Sequence, residues 1–262
     1  MFLKLCKNEL KSSYRSFLIL YVIVMVSAIL LDVNDNGLFS SIMAIIYAVV
    51  LIVLCIMYIV ILIRNYHTSM FSRNAYLTHT LPISSTQLLF SKTICAVFWY
   101  IVSAFVLVIS FTIVTMRVLN FDWGILLDAL SYLAGNGELI NLSLYLVYTI
   151  FSVIEFVLLI YLVMNAVHTK YVRKFRFVVA ILLYIIISLV VDFIFSNLLM
   201  PLFGIYSTDS IITFNYSITT GYLSSYSLEM KVMFFCIFKS LILGTLYFLG
   251  SKYILDRKME IE

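Results

Sequence analysis

The sequence has little charge and almost no proline. Only 11% of its 262 residues are charged and 64% are hydrophobic, whereas soluble domains carry charge on roughly a quarter of their residues. With two prolines and eight glycines, long helices can continue without a break. The apolar runs are continuous and lack the alternation of a membrane β-barrel. The composition excludes a soluble domain and predicts an all-α integral membrane protein, with residues 1–262 as a single transmembrane domain.

Motifs for common catalytic and metal sites are absent as well. The chain has no G-x-x-x-x-G-K-[ST] loop to hold nucleotide phosphates and no H-E-x-x-H zinc motif. Its four cysteines show no Cys-x-x-Cys spacing and do not pair within a polar loop. The three histidines lie in connections between apolar runs. We therefore expect no catalytic residue, no metal site and no cofactor on this chain, and no enzymatic activity of its own.

Six apolar runs are candidates for transmembrane helices. The predicted spans are residues 16–31, 39–63, 93–116, 141–165, 177–196 and 232–251. The first is short for a bilayer core, which needs about 20 residues, so flanking residues would have to lie in the membrane as well. Residues 1–15 repeat basic and apolar residues at spacings of three and four, which predicts an amphipathic helix lying in the membrane interface. Residues 197–231 form a long segment with few charges.

The distribution of positive charge predicts the orientation. With six spans, both termini lie on one side, and most of the 17 lysines and arginines fall on that same side. The positive-inside rule then places both termini in the cytoplasm and residues 197–231 outside. Because the net charge of +4 follows this topology, it does not indicate a nucleic-acid partner. We expect a multi-pass protein of the cell membrane, in contact with lipid.

The longest polar interruption in the first half of the chain is residues 64–92, between the second and third spans. Pro82 lacks an N–H and disfavours a helical Leu81, so a short helix over about residues 69–80 should end there. Ser84 and Gln87 form a Ser-x-x-Gln capping box, which predicts the start of the next helix. The pattern predicts two helices joined by a sharp corner. An ordinary polar connection followed by a capped helix has the same local chemistry.

Three ionisable residues lie inside predicted spans: Glu155, Asp192 and Lys239. Charges in hydrocarbon are costly and normally face a partner or water. The three residues lie at similar depths along their spans, so Lys239 could pair with one or both acids. They could line a translocation path, or they could form a tether that holds the last three spans together.

The stretch from Tyr76 to Ser84, YLTHTLPIS, with the following QLLFSK, resembles the permease subunits of bacterial ABC-2 type exporters. The basic amino-terminal helix, the six spans and the Leu-x-Arg-Lys tail at residues 255–262 are similar to that family too. The resemblance implies that residues 64–92 contain a cytoplasmic coupling helix. The implied ATPase-coupling residues are Arg73, Tyr76, Leu77, Thr78, His79, Thr80, Leu81 and Pro82.

The same resemblance implies partners and a direction of transport. Such permeases pair with a second copy or a sister permease, and they bind two copies of a separate ABC ATPase that carries the ATP and Mg. The amino-terminal amphipathic helix would help to seat the ATPase. Transport would be outward, and for a small permease with little extracellular structure we expect an amphipathic or hydrophobic peptide, such as an antimicrobial or toxin peptide, as substrate.

Two other functional classes compete with a permease. An ion-coupled carrier could use Glu155, Asp192 and Lys239, although such carriers often have broken helices and only Pro201 and Gly204 hint at a break. An intramembrane enzyme is the weaker alternative, because Glu155 is isolated and no histidine lies in a span. Within the ABC class, a sensor or immunity component that moves no substrate is a further possibility.

Overall fold

The computed structural model describes residues 2–31, 38–71, 84–119, 124, 131, 138–169, 175–199 and 226–257. The described ranges contain long α-helices, each apolar and long enough to cross a membrane. They are α1 (Phe2–Leu30), α2 (Leu38–Met70), α3 (Ser85–Leu119), α4 (Glu138–Val167), α5 (Arg176–Ile194) and α6 (Tyr226–Arg257), with a π-helical turn at Phe195–Leu199 after α5. Within these ranges the prediction of a helical chain with six helices that could cross a membrane is confirmed. Most of the predicted external segment, residues 197–231, lies outside the described residues.

The first helix is continuous, which differs from the predicted boundary between an interfacial helix at 1–15 and a span beginning at 16. No proline or glycine interrupts residues 2–30, so nothing in the sequence breaks the helix. Cys6, Ser13, Phe17 and Val24 are all buried along one face. The apolar face of the amino-terminal part therefore packs against protein, and residues from Cys6 to Leu30 form one candidate span.

The helices on either side of residues 72–83 extend beyond the predicted spans. Helix α2 runs to Met70, past the predicted end of the second span at residue 63. Helix α3 begins at Ser85, eight residues before the predicted start of the third span. The backbone N–H of Gln87 donates to Ser84 Oγ at 3.4 Å, so Ser84 caps α3 as the Ser-x-x-Gln pattern predicts.

The chain divides into two compact units, and the first contains α1, α2 and α3. Helix α1 packs along both α2 and α3, and aromatic rings join them. The Phe17 ring stacks on the Trp99 ring with 4.6 Å between centroids. Two tyrosine hydroxyls lie 2.7 Å from serine hydroxyls of α3, Tyr21 from Ser103 and Tyr47 from Ser110. Interhelical hydrogen bonds of this kind contribute to helix association in a membrane, because burying apolar side chains between helices gains nothing over contact with lipid tails.

The second unit contains α4, α5 and α6. Its core is made by residues of α4 and α6: Leu158, Leu159, Val163, Val167, Leu243 and Tyr247. Asn165 Nδ2 donates to Ser251 Oγ at 2.6 Å between two buried side chains. A Cβ on Gly250 would lie 2.8 Å from Leu162 Cδ1, so this glycine permits the close approach of α4 and α6. Helix α5 contributes no fully buried residue.

We predict that Phe17→Ala lowers the free energy of unfolding by about 3 kcal/mol, because it leaves a cavity against Trp99. The neighbouring Leu18→Ala serves as a matched control, because Leu18 is 54% exposed; it should change the free energy by less than about 0.5 kcal/mol. Unfolding in mixed micelles by titration with SDS, followed by circular dichroism, measures both. Equal effects of the two substitutions would contradict the packing of α1 on α3.

Candidate functional site

The eight predicted coupling residues, from Arg73 to Pro82, lie outside the described residues, and so does the predicted corner at Pro82. Their role remains a prediction. The structure describes the two helix ends that flank them: the end of α2 with Phe71, and Ser84 with the start of α3.

A buried lysine joins the two flanking helices to α1. The Lys92 side chain on α3 is only 3% exposed, and its Nζ lies 2.6 Å from Glu9 Oε1 on α1, whose side chain is 19% exposed. The same amine donates to Ser69 Oγ on α2 at 2.5 Å. It also lies 5.9 Å from the centroid of the Tyr66 ring. One ammonium group therefore binds partners on both other helices of its unit.

Further polar contacts surround this ion pair. Asn65 on α2 donates its side-chain N–H to Ser13 Oγ on α1, and Ser69 Oγ donates to Asn65 O at 3.0 Å. We call Glu9, Ser13, Asn65, Ser69 and Lys92 the Lys92 cluster. Its surroundings are tightly packed, because Tyr66, Met70, Leu89 and Ser91 are each at most 1% exposed.

The Lys92 cluster holds three helices together through charge and hydrogen bonds. Two opposite charges removed from water require each other, because either one alone would be a buried charge without compensation. The hydrogen bonds of the lysine to two helices fix their relative positions, since its three donors need acceptors. Among the described residues, no group of histidine, cysteine, aspartate or glutamate side chains could hold a metal ion.

Sequence reasoning missed the pairing of Glu9 with Lys92, because it assigned one residue to an interfacial helix and the other to a surface segment. A signal was present. Leu88, Leu89, Cys95 and Ala96 are buried on α3, and Lys92 lies among them at helical spacing. A lone lysine on an otherwise apolar helical face predicts an acidic partner on a neighbouring helix.

The second unit brings together the three ionisable residues within spans. Lys239 Nζ on α6 donates to Asp192 Oδ1 on α5 at 2.8 Å, and it lies 5.4 Å from the centroid of the Phe195 ring. Glu155 on α4 is half-buried and interacts electrostatically with both charges of the pair. All three helices of the unit thus contribute one charge.

This second charge group is far more open than the Lys92 cluster. The side chains of Lys239 and Asp192 are 24% and 68% exposed. A carboxylate this exposed within a span is costly against lipid and needs water or further protein beside it. The ion pair supports the interpretation as a tether, because it joins α5 to α6. The exposure of Asp192 supports the interpretation as a water-lined path, because such a path needs polar groups that water can reach. Both interpretations remain open.

Comparison with protein-family models, with curated proteins and with solved structures gives no match for this chain. The fold of the described residues, the Lys92 cluster and the charges within the second unit are therefore interpreted from their own geometry.

We predict that Lys92→Met lowers the free energy of unfolding by about 3 kcal/mol, because Glu9 is left as an unpaired, largely buried carboxylate. The double variant Lys92→Met/Glu9→Gln should recover most of this loss, since neither charge remains. SDS titration of the purified protein gives the complete double-mutant cycle. Lys11→Met, which removes an exposed lysine from the same end of α1, is the control and should have little effect. A double variant as unstable as the single one would contradict a direct ion pair.

We predict a smaller effect at the second charge group. Lys239→Met should lower the free energy of unfolding by about 1 kcal/mol, the usual size of a polar contact between membrane helices, because Asp192 is already largely exposed. Lys239→Met/Asp192→Asn should restore it. If neither variant changes the SDS midpoint, the pair does not act as a tether between α5 and α6.

Proposed function

We propose that this chain is the transmembrane permease subunit of an ATP-driven ABC exporter, and that residues 64–92 couple it to a separate ATPase. The observation that supports this most directly is the Lys92 cluster, which joins both helices that flank residues 72–83 to α1. The motif YLTHTLPIS within this segment supports the same proposal through its resemblance to ABC-2 permeases.

The cluster suits a coupling role because of where its members lie. Ser69 is one residue before the end of α2, and Lys92 is two turns into α3. Their contact joins α2 and α3 near the two helix ends that flank residues 72–83. A push on that segment would otherwise move each helix end separately. Because Lys92 of α3 binds Ser69 of α2 and Glu9 of α1, the three helices would move together.

The resemblance supplies the rest of the proposed complex. Residues from Arg73 to Pro82 would contact the ATPase, with Tyr76 to Pro82 forming the coupling helix and its corner. Two ATPase copies would bind ATP and Mg, and a second permease copy or a sister permease would complete the path. Both termini and the coupling segment would lie in the cytoplasm, in line with the charge distribution.

Within this proposal, the charges of the second unit would lie along the path of the substrate. Asp192 is 68% exposed although it lies within a candidate span, which is what a polar lining requires. An amphipathic peptide presents both charged and apolar groups. It could contact Asp192 and the exposed apolar residues of α5, such as Ile185 and Leu189.

An ion-coupled carrier is the second candidate, and the Lys239–Asp192 pair favours it. Ionisable residues within membrane spans pair with one another and mark the ion and proton pathways of pumps and transporters. The two candidates differ in their energy source. A carrier would need no ATPase partner, and its flux would follow an ion gradient in vesicles that contain no ATP.

We predict that the tagged protein, gently extracted from its native membrane, recovers a P-loop ATPase that mass spectrometry identifies. Tyr76→Ala/Leu77→Ala/Leu81→Ala should lower this recovery at least about ten-fold, because apolar anchors of an interface carry most of its binding energy.

The control for this experiment removes the same kind of apolar surface elsewhere. Leu18, Ile45 and Phe105 are exposed on α1, α2 and α3, and changing all three to alanine should leave ATPase recovery unchanged. Recovery of the chain without any ATPase, after extraction conditions that preserve the fold, would count against the permease and favour the carrier.

A further inference from the structure

The amino-terminal part of α1 has an exposed basic face. Lys7, Lys11 and Arg15 follow one another at spacings of four residues and are all exposed, so they lie along one side of the helix. The buried residues Cys6 and Ser13 lie on a different side. This basic face is therefore not used in packing α1 against α2 and α3.

The acidic residue within the same helix, Glu9, does not neutralise this face. Glu9 is the only acidic residue among residues 1–31, and its carboxylate is bound to Lys92 in the interior of the unit. The helix thus directs its single negative charge inward and three positive charges outward. The outward face has a local charge of +3, which attracts anionic groups.

The length of α1 determines how deep this face lies. The candidate span in α1 is Cys6–Leu30, which is longer than the roughly 20 residues that a hydrocarbon core of about 30 Å requires. The chain continues after Leu31 as Asp32-Val33-Asn34-Asp35, so one membrane boundary should lie near Leu31. Counting about 20 residues back from there places the other boundary near Lys11. Lys7 and Lys11 would then lie at the level of the lipid headgroups, with Arg15 about one turn deeper.

The contacts of Arg15 fit that position. Its Nε donates to Tyr14 Oη at 3.1 Å, and its guanidinium carbon lies 5.8 Å from the centroid of the Tyr14 ring. Tyrosine is enriched at the boundary between membrane and water, and long basic side chains extend from the apolar region to reach the headgroups. A guanidinium group binds phosphate oxygens through two parallel hydrogen bonds.

We propose that Lys7, Lys11 and Arg15 form a binding surface for the phosphate groups of anionic lipids at the amino-terminal end of α1. The surface selects anionic over zwitterionic lipid, because a local charge of +3 attracts a net negative headgroup and gains nothing from a neutral one. It does not depend on the permease function. It also differs from the role that the family resemblance implies for this helix, which is to seat an ATPase.

The test uses the full-length protein, purified alone and reconstituted into vesicles of phosphatidylcholine and phosphatidylglycerol in a 3:1 ratio. After mild detergent extraction, mass spectrometry quantifies the lipids that remain bound. The wild-type protein should retain phosphatidylglycerol in excess over its share of the vesicle. Lys7→Gln/Lys11→Gln/Arg15→Gln should lower the retained ratio of phosphatidylglycerol to phosphatidylcholine at least about five-fold, the effect expected for the loss of one such contact.

Two matched variants separate a specific surface from net charge. Lys7→Arg/Lys11→Arg/Arg15→Lys keeps the three charges and should keep the retained ratio within about two-fold of wild type. Arg64→Gln/Arg176→Gln/Lys252→Gln removes three charges from α2, α5 and α6 and should reduce the ratio less than the α1 variant. If both charge-removing variants reduce it equally, binding follows net charge alone and the proposal is overturned.

A second arm distinguishes lipid from a protein partner. If the α1 variant retains phosphatidylglycerol as the wild type does but no longer recovers an ATPase from the native membrane, the basic face binds that protein and the lipid proposal is wrong. Failure to find any ATPase at all would count against the permease function and would leave the lipid measurement unaffected, because the reconstituted protein contains this chain alone.

Discussion

The ion pair between Lys92 and Glu9 is the constraint on which the arrangement of the first unit depends. A charge buried to this extent cannot remain without its partner, so α1 and α3 must keep their register at this end. Ser69 extends the same requirement to α2. The aromatic contacts further along, such as Phe17 on Trp99, add packing but tolerate small shifts. The polar end therefore fixes the relative positions of the helices, and the apolar remainder adapts.

The two charge groups differ in how exposed their side chains are and in how many neighbouring helices contact them. Lys92 and Glu9 are closed off from their surroundings and have neighbours on every helix of their unit, which suits a rigid joint. Asp192 is largely exposed on α5, a helix without a fully buried residue. An exposed charge such as Asp192 needs water or further protein beside it, and it can exchange one polar partner for another, whereas a buried ion pair cannot separate without a large cost. Under the proposed permease function, the rigid Lys92 cluster would serve as the coupling joint and the second charge group would line the path.

Hydrophobic patterning was sufficient to predict six membrane helices, and local chemistry was sufficient to place the start of α3 at the Ser84 cap. Two kinds of feature were not predictable. Helix α1 continues across residue 16 and α2 runs to Met70, past the predicted end of the second span, because helices continue into polar sequence wherever packing and capping support them. The partner of Lys92 depends on which helices pack together. Local sequence patterns do not show this, because Glu9 and Lys92 are 83 positions apart in the chain. The Lys239–Asp192 pair was easier to anticipate, because charges within hydrocarbon have few possible partners.

If its basic face binds lipid as proposed, helix α1 connects the Lys92 cluster to the membrane, because its charges point in two directions. Glu9 faces inward and holds Lys92, while Lys7, Lys11 and Arg15 face outward. A helix bound only to protein would move with α2 and α3, whereas a helix bound only to lipid would not respond to their movement. Held on both sides, α1 would resist a displacement at the membrane boundary without preventing it. A displacement of α2 and α3 at this end must then either carry α1 against the lipid headgroups or open the Lys92–Glu9 pair, and the cost of separating two buried charges favours the first.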